Sequence, residues 1–291
     1  MSSAVAALAF LSVALPFFAQ DFSDLKVEKV AARLKFADGA VWSTEGFLIF
    51  CDVPSNKMMK FTPGQGVALY RDDSNGAGGI AFDDKGRMYV AETRPPRVIR
   101  IDKKGKLEVL ADKWESKPLN SPNDLVVSKN GDIYFTDPAF GKQVETGKLD
   151  FFGVYHISPK GELSVIAKPQ GRPNGITFSP NGKILYVSNT DERNVRAYDI
   201  AKNGLVGNER VLIKGIPGAP AGLKTDEKGN IYVTAAGVVV YSPEGKHLHT
   251  IELSEAPANL AFGDPDLQTL YITARTSVYR VRLNVKGSIQ H

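Results

Sequence analysis

The chain of 291 residues has one cysteine, Cys51, and four histidines. A single thiol rules out an intrachain disulfide and lacks the partners a zinc site needs. Cys51 lies inside an apolar, strand-like run and reads as a buried structural thiol. The histidines give no support to serine-hydrolase chemistry. His247 and His249 share one face of a predicted outer strand, His156 belongs to another strand, and His291 ends the chain. No Gly-x-Ser-x-Gly elbow accompanies them, which argues against a Ser-His-Asp hydrolase. No phosphate-cradling glycine loop stands between a strand and a helix; Gly76–Gly79 falls between strands. No segment has the period of a long amphipathic helix. The net charge is only +4, with lysines spread along the chain, so the surface reads as solvated and the partners exclude nucleic acid.

One long apolar run is present, from Ala4 to Phe18, before polarity returns at Gln20-Asp21. It is short for a membrane span and fits the core of a signal peptide, with Ala19 as the small residue before a cut. Residues 1–19 are therefore expected to be a signal peptide. The protein is expected to be exported, periplasmic or secreted, with no membrane attachment once the signal is removed.

What the chain has in abundance is a repeated phrase. WSTEGFLIFCD (Trp42–Asp52), FDDKGRMYVAE (Phe82–Glu92), VSKNGDIYFTD (Val127–Asp137), FSPNGKILYVSN (Phe178–Asn189) and TDEKGNIYVTA (Thr225–Ala235) carry glycine, aromatic and acidic marks in register. A sixth copy, FGDPDLQTLYITA (Phe262–Ala274), replaces the turn glycine with Asp264-Pro265-Asp266. Each copy reads as strand, tight turn, strand, and the spacing of roughly 40–50 residues is that of a β-propeller. Further strand-like runs follow each hairpin, for example Gly153–Ile157 then Leu163–Ala167, and Val195–Ile200 then Arg210–Lys214. The expected fold is all-β, a six-bladed β-propeller over residues 26–287 with four-stranded blades. The sixth blade runs out of chain after three strands. The unpartnered strand-like stretch Lys26–Leu34 is expected to complete it, leaving no open edge. The longest irregular insert, about Ala139–Asp150, carries Phe140 and is followed by Phe151 and Phe152; it can lid one end of the channel or pack on its own blade.

In an antiparallel hairpin both ends face the same rim, so two rings of side chains can be read directly. Residues opening the innermost strands are Asp38, Gly78, Asn123, Asn174, Ala221 and Ala258. Residues closing the hairpins are Asp52, Glu92, Asp137, Asn189, Ala235 and Ala274. In the first ring, Asp38, Asn123 and Asn174 offer oxygen. One carboxylate with amide carbonyls suits a hard divalent cation such as Ca²⁺, not zinc. Acids of the second ring either serve the site or accept backbone N–H bonds in turns.

SPND (Ser121–Asp124), IYFTDPAFG (Ile133–Gly141) and RPNGITFSPNG (Arg172–Gly182) resemble the SMP-30/gluconolactonase family, and the resemblance covers nearly all of the chain after Lys26. It implies a six-bladed propeller with one divalent cation in the channel and hydrolysis of small sugar lactones. It places the family's glutamate ligand on Asp38, its asparagine ligand on Asn174, and the asparagine beside metal and substrate on Asn123. The family's ligand aspartate, also its favoured base, falls on Ala221, which can neither coordinate nor take a proton. Weaker metal affinity and activity are expected, with a second-ring acid (Asp137, Glu92 or Asp52) as replacement and Asp137 the catalytic candidate. The alternatives are a non-catalytic propeller that binds a ligand through the same mouth and, more distantly, a phosphoester hydrolase. The expected partner is a small-molecule substrate, the expected state a monomer or homodimer.

Overall fold

The structure, a computed structural model, describes residues 22–140 and 149–289. The expected signal segment and most of the Ala139–Asp150 insert lie outside the described residues. Six four-stranded antiparallel sheets form six blades around one axis, as the repeats predict. Blade I is β2 (Ala37–Ser43), β3 (Phe47–Asp52), β4 (Lys57–Thr62) and β5 (Gly66–Arg71). Blade II is β6 (Ile80–Phe82), β7 (Met88–Thr93), β8 (Pro96–Ile101) and β9 (Leu107–Ala111). A short hairpin, β10 (Lys113–Trp114) with β11 (Lys117–Pro118), leads to blade III. That blade is β12 (Leu125–Val127), β13 (Ile133–Asp137), β14 (Gly153–Ile157) and β15 (Leu163–Ala167). Blade IV is β16 (Pro173–Phe178), β17 (Ile184–Asn189), β18 (Asn194–Ile200) and β19 (Val206–Ile213). Blade V is β20 (Leu223–Thr225), β21 (Ile231–Thr234), β22 (Val238–Tyr241) and β23 (His247–Ile251). Blade VI is β24 (Pro257–Gly263), β25 (Thr269–Ala274) and β26 (Ser277–Arg282), completed by β1 (Val27–Ala31), which pairs Val27 with Val281 and Ala31 with Val278. The N-terminal strand thus closes the ring.

The turn residues explain the hairpins. Asp226 Oδ1 accepts the N–H groups of Lys228 and Asn230, both at 2.9 Å, and Gly229 takes φ 86° between them. A carboxylate that holds the turn and a glycine that allows its left-handed step define the Asp-x-x-Gly phrase. The strand tyrosines serve the contacts between blades. Tyr134 meets Phe178 edge-on at 5.6 Å, Tyr232 meets Phe262 at 5.3 Å, and Tyr271 stacks on Trp42 at 5.2 Å. In each pair a second-strand ring packs on an aromatic of the next blade's innermost strand, the last pair spanning blades VI and I. Such pairs add about 0.5–1.5 kcal/mol each beyond their buried area.

One strand expectation is corrected. The fourth strand of blade IV starts at Val206 and not at Arg210, because β18 and β19 pair through two register shifts, and Asn208 takes φ 51° in the bulged stretch. The third strand of blade II starts at Pro96. A proline is tolerated at that first position because a ladder N–H is not needed there.

Closest to the axis, blades are latched by short hydroxyls. Thr136 Oγ1 donates to the carbonyl of Asn174 at 2.6 Å, Ser188 Oγ to Ala221 at 2.6 Å, and Thr234 Oγ1 to Ala258 at 2.9 Å. Cys51 Sγ lies 3.3 Å from the Gly78 carbonyl in the same relation. Each latch residue stands one place before the hairpin-closing residue and reaches into the next blade. The Thr234→Val variant keeps the shape and removes the latch between blades V and VI. Because the Ala258 carbonyl keeps the Gly222 N–H, the variant is expected to lower stability by about 0.5–1.5 kcal/mol, read from chemical denaturation midpoints. A loss below about 0.5 kcal/mol would show that the Ala258 carbonyl does not depend on the hydroxyl.

Candidate metal and substrate site

The innermost strands do not start regularly. Asn123 N–H donates to the Thr136 carbonyl at 2.9 Å, while Thr136 N–H donates to the carbonyl of Asp124 at 3.0 Å. Ala221 and Gly222 share Thr234 in the same way. Two residues therefore oppose one, which is a β-bulge, and register shifts mark the same place between Asp38 and Val41, Pro173 and Ile176, and Pro257 and Asn259. A bulge re-aims side chains. Here it turns two successive residues per blade toward the channel, where sequence reading counted one.

The first ring is the predicted one. Its backbone is joined across three of the blade junctions: Gly79 N–H donates to the Asn123 carbonyl at 2.6 Å, Gly175 to Ala221 at 3.2 Å, and Gly222 to Ala258 at 2.8 Å. Asp38, Asn123 and Asn174 are half-buried at these equivalent positions. Asp38 Oδ1 accepts the N–H of Gly39 at 2.8 Å. Asn174 Nδ2 donates to Thr190 Oγ1 at 3.0 Å. The amide of Asn123 has no hydrogen bond among the described residues. Desolvation raises the Asp38 carboxyl to about 6, and the nearby charge of Asp124 adds to the rise, while the Gly39 N–H and the Asn259 amide oppose it.

The second residue of each bulge forms a deeper tier: Gly39, Gly79, Asp124, Gly175, Gly222 and Asn259. Four glycines make room for two polar side chains. A Cβ at Gly79 would stand 2.4 Å from Asp124 Oδ1, and one at Gly222 2.6 Å from the Asn259 amide. Asp124 accepts the N–H of Leu125 at 2.9 Å and lies 3.4 Å from that of Ile176. Asn259 Oδ1 accepts from Leu260 at 2.8 Å, and the nearby Asn259 amide favours the ionised forms of both Asp38 and Asp124. Burial raises the Asp124 carboxyl, and the charge of Lys224 pulls it back down. Sequence reading missed this tier. The signal was present in the dipeptides Asp38-Gly39, Gly78-Gly79, Asn123-Asp124, Asn174-Gly175, Ala221-Gly222 and Ala258-Asn259, whose second members are glycine except where a polar group fills the hub.

The second ring stands outside the first. Asp52 Oδ1 accepts the N–H groups of Lys35 and Phe36 at 3.0 and 2.9 Å. Glu92, fully buried, pairs with Arg71 at 3.0 Å and Arg97 at 2.6 Å. Asp137, also fully buried, accepts Asn120 N–H at 2.9 Å and Ser121 N–H at 2.6 Å, and so holds the turn that delivers Asn123. Burial lifts the Asp137 carboxyl to about 7, opposed by those two N–H groups. Asn189 Oδ1 accepts from Glu192 at 2.9 Å. Beside this rim, the described ends of the insert join Asn120 and Pro169 around a cavity of about 400 Å³, lined also by Leu149, Phe151 and Phe152. The Phe140 ring lies 4.7 Å from the Arg172 guanidinium, which Asp191 holds by two nitrogens.

Among the described residues the histidines stand apart from the mouth. His249 stacks on Phe22 at 4.7 Å, His247 lies 3.0 Å from Thr250 Oγ1, and His156 pairs with Asp132 at 2.7 Å. Among the described residues no group of three or more His, Cys, Asp or Glu side chains forms a metal cluster. Any cation at the hub must therefore take amide oxygen as well as carboxylate. No helix among the described residues is long and apolar enough to cross a membrane.

Comparison with known proteins agrees with this geometry. The pattern described as the SMP-30/gluconolactonase/LRE-like region matches residues 36–276. The gluconolactonase of Zymomonas mobilis is 32% identical, the alignment covering 90% of this chain and 82% of that protein. The pentonolactonase of Haloferax volcanii is 25% identical, over 84% of this chain and 83% of its own. The solved gluconolactonase of Xanthomonas campestris superposes with a TM-score of 0.82 at 27% identity, covering 90% of each chain. With the propeller, the bulged hub and the motifs around Asn123 and Asn174 all in place, the chain belongs to the SMP-30/gluconolactonase family.

Proposed function

We propose that the protein is a divalent-cation-dependent hydrolase of small sugar lactones, with activity weakened by Ala221. The observation that carries the reading is the hub itself. One carboxylate and two amides stand at equivalent bulged positions, and Asn123 and the carbonyl end of Asn174 are unengaged. That donor set fits a hard cation, most naturally Ca²⁺, completed by water. Neutralising Asp38 would also offset the desolvation that raises its carboxyl.

When bound, the cation supplies Lewis-acid polarisation of the lactone carbonyl. Asp38 and Asn174 hold it, and Asn123 places the substrate against it. The cavity beside Asn120 provides an apolar wall at the mouth. Asp137 is the candidate for taking the proton from the attacking water. A carboxyl near 7 has the proton affinity that a base needs at neutral pH. Each of its oxygens retains one lone pair beyond the N–H bond it accepts. Ala221 favours a second reading, a binding propeller that holds a sugar acid or lactone at the same hub without turnover. Export through the N-terminal segment, a small-molecule partner and a monomeric or dimeric state belong to the proposal as well.

Hydrolysis of sugar lactones is expected to fall at least tenfold in a chelator and to return with Ca²⁺, by the several kcal/mol that a Lewis acid contributes. Metal-independent hydrolysis, or none on any sugar lactone, would overturn the reading. Ala221→Asp is expected to raise cation affinity and turnover together, the latter by up to about 10²–10⁴-fold if it restores a base. No change in either would favour the binding propeller.

Asp137 also sets a pH dependence. Its carboxyl stands above the ordinary 3.8 in the folded protein. The unfolded chain therefore releases this proton first as pH rises. The stabilising effect is full below about 4 and is lost on the way to about 7. Asp137→Asn does not titrate, so the wild type's advantage in melting temperature over this variant is expected to shrink from pH 5 to pH 8. An advantage that is constant or grows would contradict the assignment.

A further inference from the structure

We infer that Thr190 is a positioning residue for cation capture, because its hydroxyl decides which end of the Asn174 amide is free. The inference rests on the proposed function and adds a residue to it. Thr190 follows β17 and is pinned by its own N–H, which donates to the Arg172 carbonyl at 3.0 Å. Its Oγ1 has two neighbours, the Pro220 carbonyl oxygen at 2.8 Å and Asn174 Nδ2 at 3.0 Å.

Polarity fixes the direction of both bonds. A carbonyl oxygen only accepts, and a hydroxyl has one proton to give. That proton goes to Pro220, so a lone pair is left facing Asn174. A lone pair requires a donor, and the amide must present its NH₂. The two ends of an asparagine side chain have nearly the same shape, and only the surrounding network decides between them. With Nδ2 committed to Thr190, Oδ1 is the end left over, and it has no hydrogen bond among the described residues. A cation accepts only that orientation, since the NH₂ end would present positive hydrogens to it.

The same hydroxyl ties Asn174 to the residue before Ala221. Pro220 opens blade V on the rim, and its carbonyl is the fixed point from which the chain Pro220–Thr190–Asn174 takes its direction. Blade V supplies no ligand side chain at Ala221. It still acts on the hub, by dictating the orientation of the ligand on blade IV. Groups that orient metal ligands in this way are worth roughly 10–100-fold in affinity.

The test uses the full chain and reads Ca²⁺ binding by calorimetry, with Tb³⁺ luminescence as a second probe, alongside the melting temperature of the metal-free protein. Thr190→Val keeps the shape and removes both the donor and the lone pair. It is expected to weaken Ca²⁺ at least tenfold while the metal-free melting temperature moves by only a few degrees. Thr190→Ser, which keeps the hydroxyl, is expected to bind within about threefold of wild type. If Thr190→Val does not fold, Thr190→Ala carries the same expectation. In an Asn174→Asp background both ends of the side chain are oxygen, so adding Thr190→Val is expected to cost much less than it does beside Asn174. Wild-type binding that Thr190→Val leaves within threefold would overturn this inference alone. A wild-type chain that binds no Ca²⁺ would overturn the cation reading and this inference with it.

Discussion

Everything at the hub depends on how buried carbonyl groups are satisfied where six bulged strands converge. A bulge interrupts its own ladder and leaves main-chain oxygens facing a neighbour in a dry interior, where an unpaired group costs about 1–3 kcal/mol. The neighbour answers with a hydroxyl: Thr136 for Asn174, Ser188 for Ala221 and Thr234 for Ala258. Because each bond crosses from one blade to the next, it fixes blade spacing at the axis. Of the three ligand candidates, Asn174 is held in place directly by such a bond. The thiol of Cys51 occupies the same station in blade I, which gives a packing reason for the chain's one cysteine and removes any need for a redox role.

Charge is distributed by depth. The outer rim acids are bound to backbone N–H groups or to arginines, so they shape the loops that enter the channel. The hub keeps Asp38 with an adjoining pair, Asp124 and Asn259, beneath it. Lys224 offsets one of these two carboxylates, leaving the other for a ligand. A site built this way stores electrostatic cost at Asp38, and functional groups held at such cost are common where a protein must bind charge.

Much of this was legible in the sequence. The six phrases gave the blade count, the missing fourth strand of the last blade pointed to Lys26–Leu34, within which Val27–Ala31 forms β1, and aligned strand openings named Asp38, Asn123 and Asn174. What escaped did so for physical reasons. A strict alternation of side chains assigns one channel residue per strand, whereas the bulge presents two, and so Asp124 and Asn259 were passed over. Thr136, Ser188 and Thr234 look like ordinary strand formers, and nothing in one chain tells a hydroxyl that latches from one that fills space. Thr190 lies outside the repeated phrase altogether, and its importance appears only when Pro220, 30 residues away, is brought against it. The short β10–β11 hairpin and the early start of β19 depend on local register that composition does not encode.

The pairing of β1 with β26 has a consequence for the order of assembly. Val27 meets Val281, so the contact that completes the wheel joins the first strand of the propeller to its last. Blades I to V need only neighbouring segments and can form as the chain emerges. Blade VI has only β1 until its other three strands, β24 to β26, are made, and until then β1 is an unpaired strand that invites association with other chains. The entropy of bringing such distant segments together falls on this last step. Premature loss of either end therefore leaves an open crescent, and the hub between blades VI and I, where Asp38 faces Asn259, is the part that fails to assemble.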